Sequence, residues 1–410
     1  MHALEIHFGK NTTWTLPSHP RFASSEENST RADPSGATPP IDDYREAIDA
    51  SLSAPLDFPP LDQALVPGDQ LAFAVDPACP SLVEVVSATA AWFNQRGVAA
   101  ANMRVVLGGD GQWLTEELAA AIAQRSGLAI DIVQHNCDDA EQLAYVAANE
   151  ASDPIYLNRL LVDADVVIPI TAARAQGSID YFGAFGTFPL FTDRATRARF
   201  YSLPSLLDAE QHAQLTAWAD QAAWWVGVLV GIEVIPLERD QASGILSGQL
   251  APLEAAAQQA LTEQWSAPVA DSPLVVATLD AAPQAQSWLG VARALAAAEK
   301  KVAAGGAIVL ATQLSQAVGS GLRRLRDPQM SADAIARKLA QDPSDDAFAA
   351  SLILQATNGH HLYLISELRR DTVESLGVSA IADAPQLTRL LEQFDSHTVI
   401  EAIQHRGGTV

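Results

Sequence analysis

Three turns in the first half of the chain hold most of the side chains that could do chemistry: DPACPS (residues 76–81), GGDGQWLTEE (108–117) and GSIDYFGAFGTFP (177–189). Each sets acids among glycines or prolines, where backbone can approach a ligand closely. Asp76 follows an apolar run and precedes Pro77 and a Pro80–Ser81 helix start, so its carboxylate either lines a pocket or shapes the turn. In the second turn Asp110, Gln112 and Trp113 could contact a polar ligand. The turn is not GxGxxG and has no P-loop lysine, and Glu116 and Glu117 would repel a phosphate. Around the third, Arg174, Asp180 and Tyr181 cluster. Arg174 is the candidate carboxylate binder, because a guanidinium pairs with a carboxylate through two parallel hydrogen bonds; the alternative is a surface arginine.

Other candidates read as structural. His135, Cys137, Asp138 and Asp139 could be taken for a metal set, but zinc sites need three or four ligands at a recognisable spacing, and a helix start near Asp138 is the expectation. His360 and His361 are adjacent in an extended segment, so they point to opposite faces. No metal site is assigned. Trp224 and Trp225 are expected to pack in a core or a domain interface.

The elements that must position these turns follow from apolar periodicity. An opening hairpin is expected over residues 1–16, and a Ser/Pro/Asn/Asp-rich loop over 17–42. Short apolar strands near 70–75, 104–107, 129–133 and 165–170 then alternate with helices near 43–53, 81–96 and 116–126. After a linker at 266–273 the pattern restarts, with strands at 274–279, 307–311 and 362–366 and a helix at 286–303. This predicts an α/β fold of two parallel-sheet domains, residues 1–265 and 266–410, with a ligand cleft between them. In open α/β sheets ligands bind beyond the C-terminal strand ends, and all three turns lie there.

Composition narrows the partners. The 410 residues carry a net charge of −24, which opposes binding to nucleic acid or anionic membranes but leaves room for a small carboxylate in a locally positive pocket. Two cysteines make no disulfide framework and fit a reducing compartment. The N-terminus shows no secretory signal, and the most apolar run, 222–235, is too short to span a bilayer. A cytoplasmic protein is expected.

The order and spacing of six segments resemble the lactate racemase (LarA-like) family: residues 47–81, GGDGQWLTEEL, IVQHNCDDAEQL (132–143), LNRLLVDADVVIPI (157–170), the turn at 182–189, and residues 282–321. The resemblance covers nearly the whole chain. It implies racemisation of 2-hydroxy acids by a nickel–pincer nucleotide, held through a lysine, that takes and returns a hydride while histidines handle the hydroxyl proton. Carried over position by position, Asp76 is kept, but Ala78 and Cys79 stand in place of Thr-Arg, Gly111 in place of one histidine and Asp180 in place of another. The lysine turn is shortened to GTFP, and no lysine occurs between Lys10 and Lys300. No metal-binding histidine follows in RARFYSLPSLL (197–207). Gln286 and Ser287 keep the Gln-Ser pair, with Leu289 in place of the lysine. The cofactor is therefore left unassigned. Two functions remain: a divergent racemase-like enzyme of small carboxylates, or a non-catalytic binding or interaction protein on the same fold. An NAD-dependent dehydrogenase lacks its fingerprint.

Overall fold

The computed structural model describes residues 4–17, 29–31, 38–109, 115–148, 152–183, 185–265, 271–282, 285–327 and 329–406. Of the sequence candidates, Asp110, Gln112 and Trp113 lie outside the described residues, as does most of the expected linker.

Alternation of Leu4, Ile6 and Phe8 against Trp14 and Leu16 gives the opening hairpin, β1 (Leu4–Phe8) and β2 (Thr12–Leu16). A short strand, β3 (Ser29–Arg31), falls inside the expected loop. Helix α1 (Tyr44–Ser53) starts where the Asp43 carboxylate accepts from the amides of Arg45 and Glu46. Then β4 (Leu71–Val75), α2 (Leu82–Gln95), β5 (Met103–Leu107), α3 (Thr115–Ser126) and β6 (Asp131–Gln134) follow the predicted ladder. The helix expected near Asp138 is absent. There, Asn136 and Asp139 carboxamide and carboxylate oxygens accept from the amides of Asp138 and Glu141, and such turns compete with a helix. A hairpin of β7 (Leu143–Ala148) and β8 (Pro154–Asn158) leads to β9 (Val166–Ala172).

Beyond the third turn come α4 (Arg194–Phe200), α5 (Ala209–Trp225), β10 (Gly231–Pro236), β11 (Ala242–Gly248) and α6 (Leu250–Trp265). The apolar run 222–235 is thus split between a helix end and a strand, at Gly227 with φ +68. Trp224 and Trp225 do not enter a core: they meet edge to face, with ring centroids 4.8 Å apart, and stay exposed. The second half runs β12 (Ser272–Thr278), α7 (Trp288–Glu299), β13 (Val302–Ala311), α8 (Ala332–Leu339), α9 (Ala347–Gly359), β14 (His361–Ile365), β15 (Ser379–Ala380), α10 (Ala384–Leu391) and β16 (His397–Ile400).

The strands form two six-stranded sheets, ordered β11-β10-β9-β4-β5-β6 and β15-β14-β13-β12-β16-β3. Every pair is parallel except β10 with β11. All five residues of β4 are buried, as a central strand covered on both faces requires. One face packs under α1, α2 and α3, the other under α5 and the five phenylalanines 182, 185, 188, 191 and 200. The opening hairpin and β3 belong to the second sheet. Ile6, Phe8 and Leu16 pack on Leu274, Val276 and Val309, and β3 pairs with β16. The second half is therefore built from both ends of the chain.

The β11 edge is closed by the segment after α1, where Leu56 runs against Gly248. A Cβ on Gly248 would sit 2.6 Å from the Leu56 carbonyl oxygen and 2.8 Å from its nitrogen. Gly248→Ala should therefore destabilise the protein by about 1–3 kcal/mol, the usual penalty of overpacking, seen as a lowered urea midpoint at unchanged slope.

Candidate functional site

Strand ends of both sheets open on one cleft of about 490 Å³. The first half contributes Asp76, Pro77 and Ala78 after β4, Gly109 after β5, and Leu190, Arg194 and Arg197 from the third turn and α4. The second half contributes Ser287 and Trp288 at the start of α7 and Arg293 within it, Gln316, Ala317, Gly319 and Ser320 after β13, and the loop 342–346 before α9. The α7 start is held rigidly. The Ser287 hydroxyl accepts from the Gly290 amide, the Gln316 side chain accepts from the Trp288 amide at 2.8 Å, and the Trp288 indole donates to the Ala317 carbonyl.

Behind this cleft four side chains form a buried ionic chain. Arg174 donates to Asp76 at 2.5 Å and pairs with Asp180 at 2.8 Å; Asp180 pairs in turn with Arg293 at 2.5 Å. Asp76 and Asp180 are fully buried, and both arginines nearly so. Since Arg293 lies on α7 and the others follow β4 and β9, the chain ties the two halves together. Asp76 also shapes its own turn by accepting from the Ala78 amide at 2.9 Å, so both readings of that residue hold. Burial alone would raise the Asp180 carboxyl, but Arg174 and Arg293 hold it below the usual carboxylate range. Burial likewise opposes the charge on Arg174, and Asp180 and Asp76 more than restore it.

The remaining candidates divide. Tyr181 lies beside Asp180 and donates to Glu254, around a cavity of about 10 Å³ that Arg174 and Glu233 also line. That is room for one water. Gln286 is not on the cleft wall. Its amide donates to the Leu279 and Ala281 carbonyls and accepts from Thr312 and Gln313, clamping the ends of β12 and β13. His135 is buried. Asn158 donates to its Nδ1, so Nε2 carries the proton and donates to the Thr192 carbonyl at 2.9 Å. Burial pushes the Cys137 thiol up to about 11, which keeps it from being a thiolate ligand.

Sequence reasoning missed several residues that the fold assembles here. Arg197 on the cleft wall is 5% exposed; burial lowers its pKa, while Asp345 and Tyr201 pull it back up. Arg293 links the cleft to the ionic chain. His405 packs beside Arg174 and Arg293 in a small cavity, and burial, followed by those two cations, drives its pKa down to about 3, so it is neutral. Burial pushes Glu233 up to about 7 against the pull of Arg174. No local sequence pattern pointed to them; the segment RARFYSLPSLL was singled out only for a histidine it does not contain.

Two α/β halves with facing strand ends, joined through buried charges and open on a cleft, define a two-domain α/β protein with an inter-sheet cleft. Residues 20–183 match the sequence profile described as the lactate racemase N-terminal domain. The fold is similar to the lactate racemase apoprotein of Thermoanaerobacterium thermosaccharolyticum, with a TM-score of 0.72 at 12% identity over 98% of this chain and 99% of that one. It is also similar to a crystal structure of a Thermotoga maritima protein, with a TM-score of 0.62 at 13% identity over 87% and 94% of the two chains. No curated protein matches the chain. The chain is thus similar to lactate racemases in the profile of its N-terminal part and in its overall fold.

The nickel–pincer nucleotide that the resemblance implies does not fit the donors present. The cleft wall carries no lysine, histidine or cysteine, and residues 110–114 and 283–284 add none. Among the described residues no three His, Cys, Asp or Glu side chains are grouped to hold a metal ion.

Two variants test the electrostatics. At pH 7, Asp180→Asn should cost about 3–5 kcal/mol, because two buried guanidiniums lose their shared partner. A depressed carboxyl pKa stabilises above the ordinary carboxyl range, so the gap in urea midpoint should narrow as the pH falls below about 4. Glu233 has the opposite sign. Its raised pKa leaves the fold unpenalised below about pH 4.5 and costs stability as the pH rises through 7. Glu233→Gln should match the parent at pH 4 and exceed it at pH 8, by up to about 3 kcal/mol at ~1.4 kcal/mol per pH unit, read from thermal midpoints.

Proposed function

We propose that this LarA-like protein binds a small carboxylate in the inter-sheet cleft and does not use the nickel–pincer route. The observation that carries this reading is the pair of largely buried guanidiniums, Arg197 and Arg293, on the wall of a 490 Å³ cleft. A desolvated guanidinium gains most from a carboxylate, which it can grip through two hydrogen bonds. In this reading Arg197 takes the carboxylate, Ser287 and Ser320 offer hydroxyls to the rest of the ligand, and Trp288 and Leu190 supply apolar wall. Arg174, the carboxylate binder suggested by sequence, already has two carboxylates of its own chain, so its role is to position Asp76 and Asp180.

Racemisation of a 2-hydroxy acid has no support from the side chains on the cleft wall. The α-C–H bond is barely acidic and needs a hydride acceptor, and among the described residues no histidine lines the cleft to move the hydroxyl proton. We accordingly read the chain as a divergent family member whose cleft keeps ligand binding and lacks the family's catalytic set. Its charge of −24 argues against nucleic acid and anionic membranes as partners, and no described helix is long and apolar enough to cross a membrane. Two free buried cysteines agree with the proposed cytoplasmic location, and a domain boundary near residue 266 is retained as part of the proposal.

Isothermal titration of L-lactate, D-lactate and lactamide tests the reading. The two carboxylates should bind and the neutral amide should not, and Arg197→Gln should weaken carboxylate binding by about tenfold or more, the worth of a charge-assisted hydrogen bond. Carboxylates that give no heat, or that bind Arg197→Gln equally well, would sink it. Protein made in a host that supplies the pincer cofactor should keep its bare mass; stoichiometric nickel with a nucleotide-sized adduct would overturn the cofactor part.

A further inference from the structure

The cleft wall carries three arginines, and their nitrogens are committed differently. Arg194 has none to spare. Its Nε and Nη2 grip Asp138 at 2.6 and 2.5 Å, and its Nη1 reaches Asp345 at 2.8 Å and the Pro343 carbonyl at 3.3 Å. Arg197 lies 3.8 Å from Asp345 and is engaged elsewhere in the fold as well. Arg293 commits only its Nε, to Asp180 at 2.5 Å; among the described residues its Nη1 and Nη2 meet no partner. Its side chain is 11% exposed, and it lines both the cleft and the small cavity that holds His405.

The carboxylates of the wall do not claim that open end. Asp342 pairs with Arg324, Asp346 accepts from the Gly321 and Leu322 amides, and Asp345 is held by Arg194. Asp76 is taken by Arg174 and the Ala78 amide. A largely desolvated guanidinium with unmet N–H groups is costly, and its paired amino nitrogens match the two oxygens of a carboxylate. Asp180 holds the group by its Nε edge and leaves the end formed by Nη1 and Nη2 open to the cleft. Arg293 stands on α7 in the second half and Arg197 on α4 in the first, so each half gives the cleft one guanidinium beyond the fully committed Arg194.

We propose that the cleft takes a short dicarboxylate, with one carboxylate at Arg197 and the other at the Nη1–Nη2 end of Arg293. This deepens the carboxylate-binding reading above and rests on it. A ligand held at both ends spans the cleft and ties α4 to α7. A monocarboxylate serves one arginine and leaves the other to water. Asp180 is a positioning residue here: it aims Arg293 and touches no ligand.

The experiment is calorimetric titration of the whole protein with succinate, with monomethyl succinate and with L-lactate. The ester keeps the chain of succinate and removes one charge. Succinate should bind about tenfold tighter or more than its ester, the worth of a charge-assisted hydrogen bond. In Arg293→Lys, with a thermal midpoint confirming the fold, that gap should close while the ester binds as before. The lysine keeps the charge that Asp180 needs, but its single nitrogen has no second fork to offer. Heat from succinate with none from the ester would support the proposal equally. Succinate binding no tighter than its ester would overturn it, and so would a gap that persists in folded Arg293→Lys; in both cases the carboxylate reading stands. Should that variant fail to fold, a crystal structure of the parent with succinate decides: a second carboxylate away from Arg293 would overturn the proposal. If the parent binds none of the three, the carboxylate reading itself falls and takes this inference with it.

Discussion

Two carboxylates and two guanidiniums buried between the sheets, Asp76–Arg174–Asp180–Arg293, constrain everything around them. Charges taken out of water are tolerated only when each has a close partner of opposite sign. Because the partners come from the turn after β4, the segment after β9 and α7, the geometry of one half is fixed by the other. The turn after β4 must hold Asp76 in place, the third turn must present Asp180, and α7 must approach within reach of Arg293. The cleft in front is the space left when these demands are met. Its cationic side is continuous with the ionic chain, because Arg293 belongs to both.

This arrangement puts residues that the sequence sets among reactive candidates to structural use. Asp76 is tied into the fold, and Asp180 supplies a second carboxylate to the same chain. The neighbouring groups follow suit: His405 is kept neutral by burial and flanking cations, and Glu233 shares its small cavity with Tyr181 and not with the cleft.

Much of the architecture was legible in the sequence. Runs such as LAFAV and DVVIPI are apolar throughout because their strands are covered on both faces, and glycine- or proline-marked turns follow them. The expected helix at Asp138 failed because side-chain turns and helix starts use the same residue types. The partners in the site were hidden for a different reason. Arg293 and Asp180 stand 113 positions apart, and no local pattern joins them. Gln286 was drawn into the site by its motif, but an amide that clamps two strand ends looks, in sequence, like one that binds a ligand. Arg197 was read only for the histidine missing beside it.

The placement of β3 beside β16 has a consequence for how the chain comes to be folded. Ser29 pairs with His397, so an early segment must wait for nearly all of the rest to be synthesised before its partner exists. The first sheet draws on no strand beyond β11 and can close while the ribosome is still at work. The second cannot, and its contacts are among the most distant in sequence that the molecule makes. Closing so long a loop is slow, and an unpaired strand edge invites wrong partners in the meantime. The half of the protein that supplies Arg293 and Asp345 is thus the later one to form, and a chain released early would present an arginine-lined half-cleft with nothing opposite.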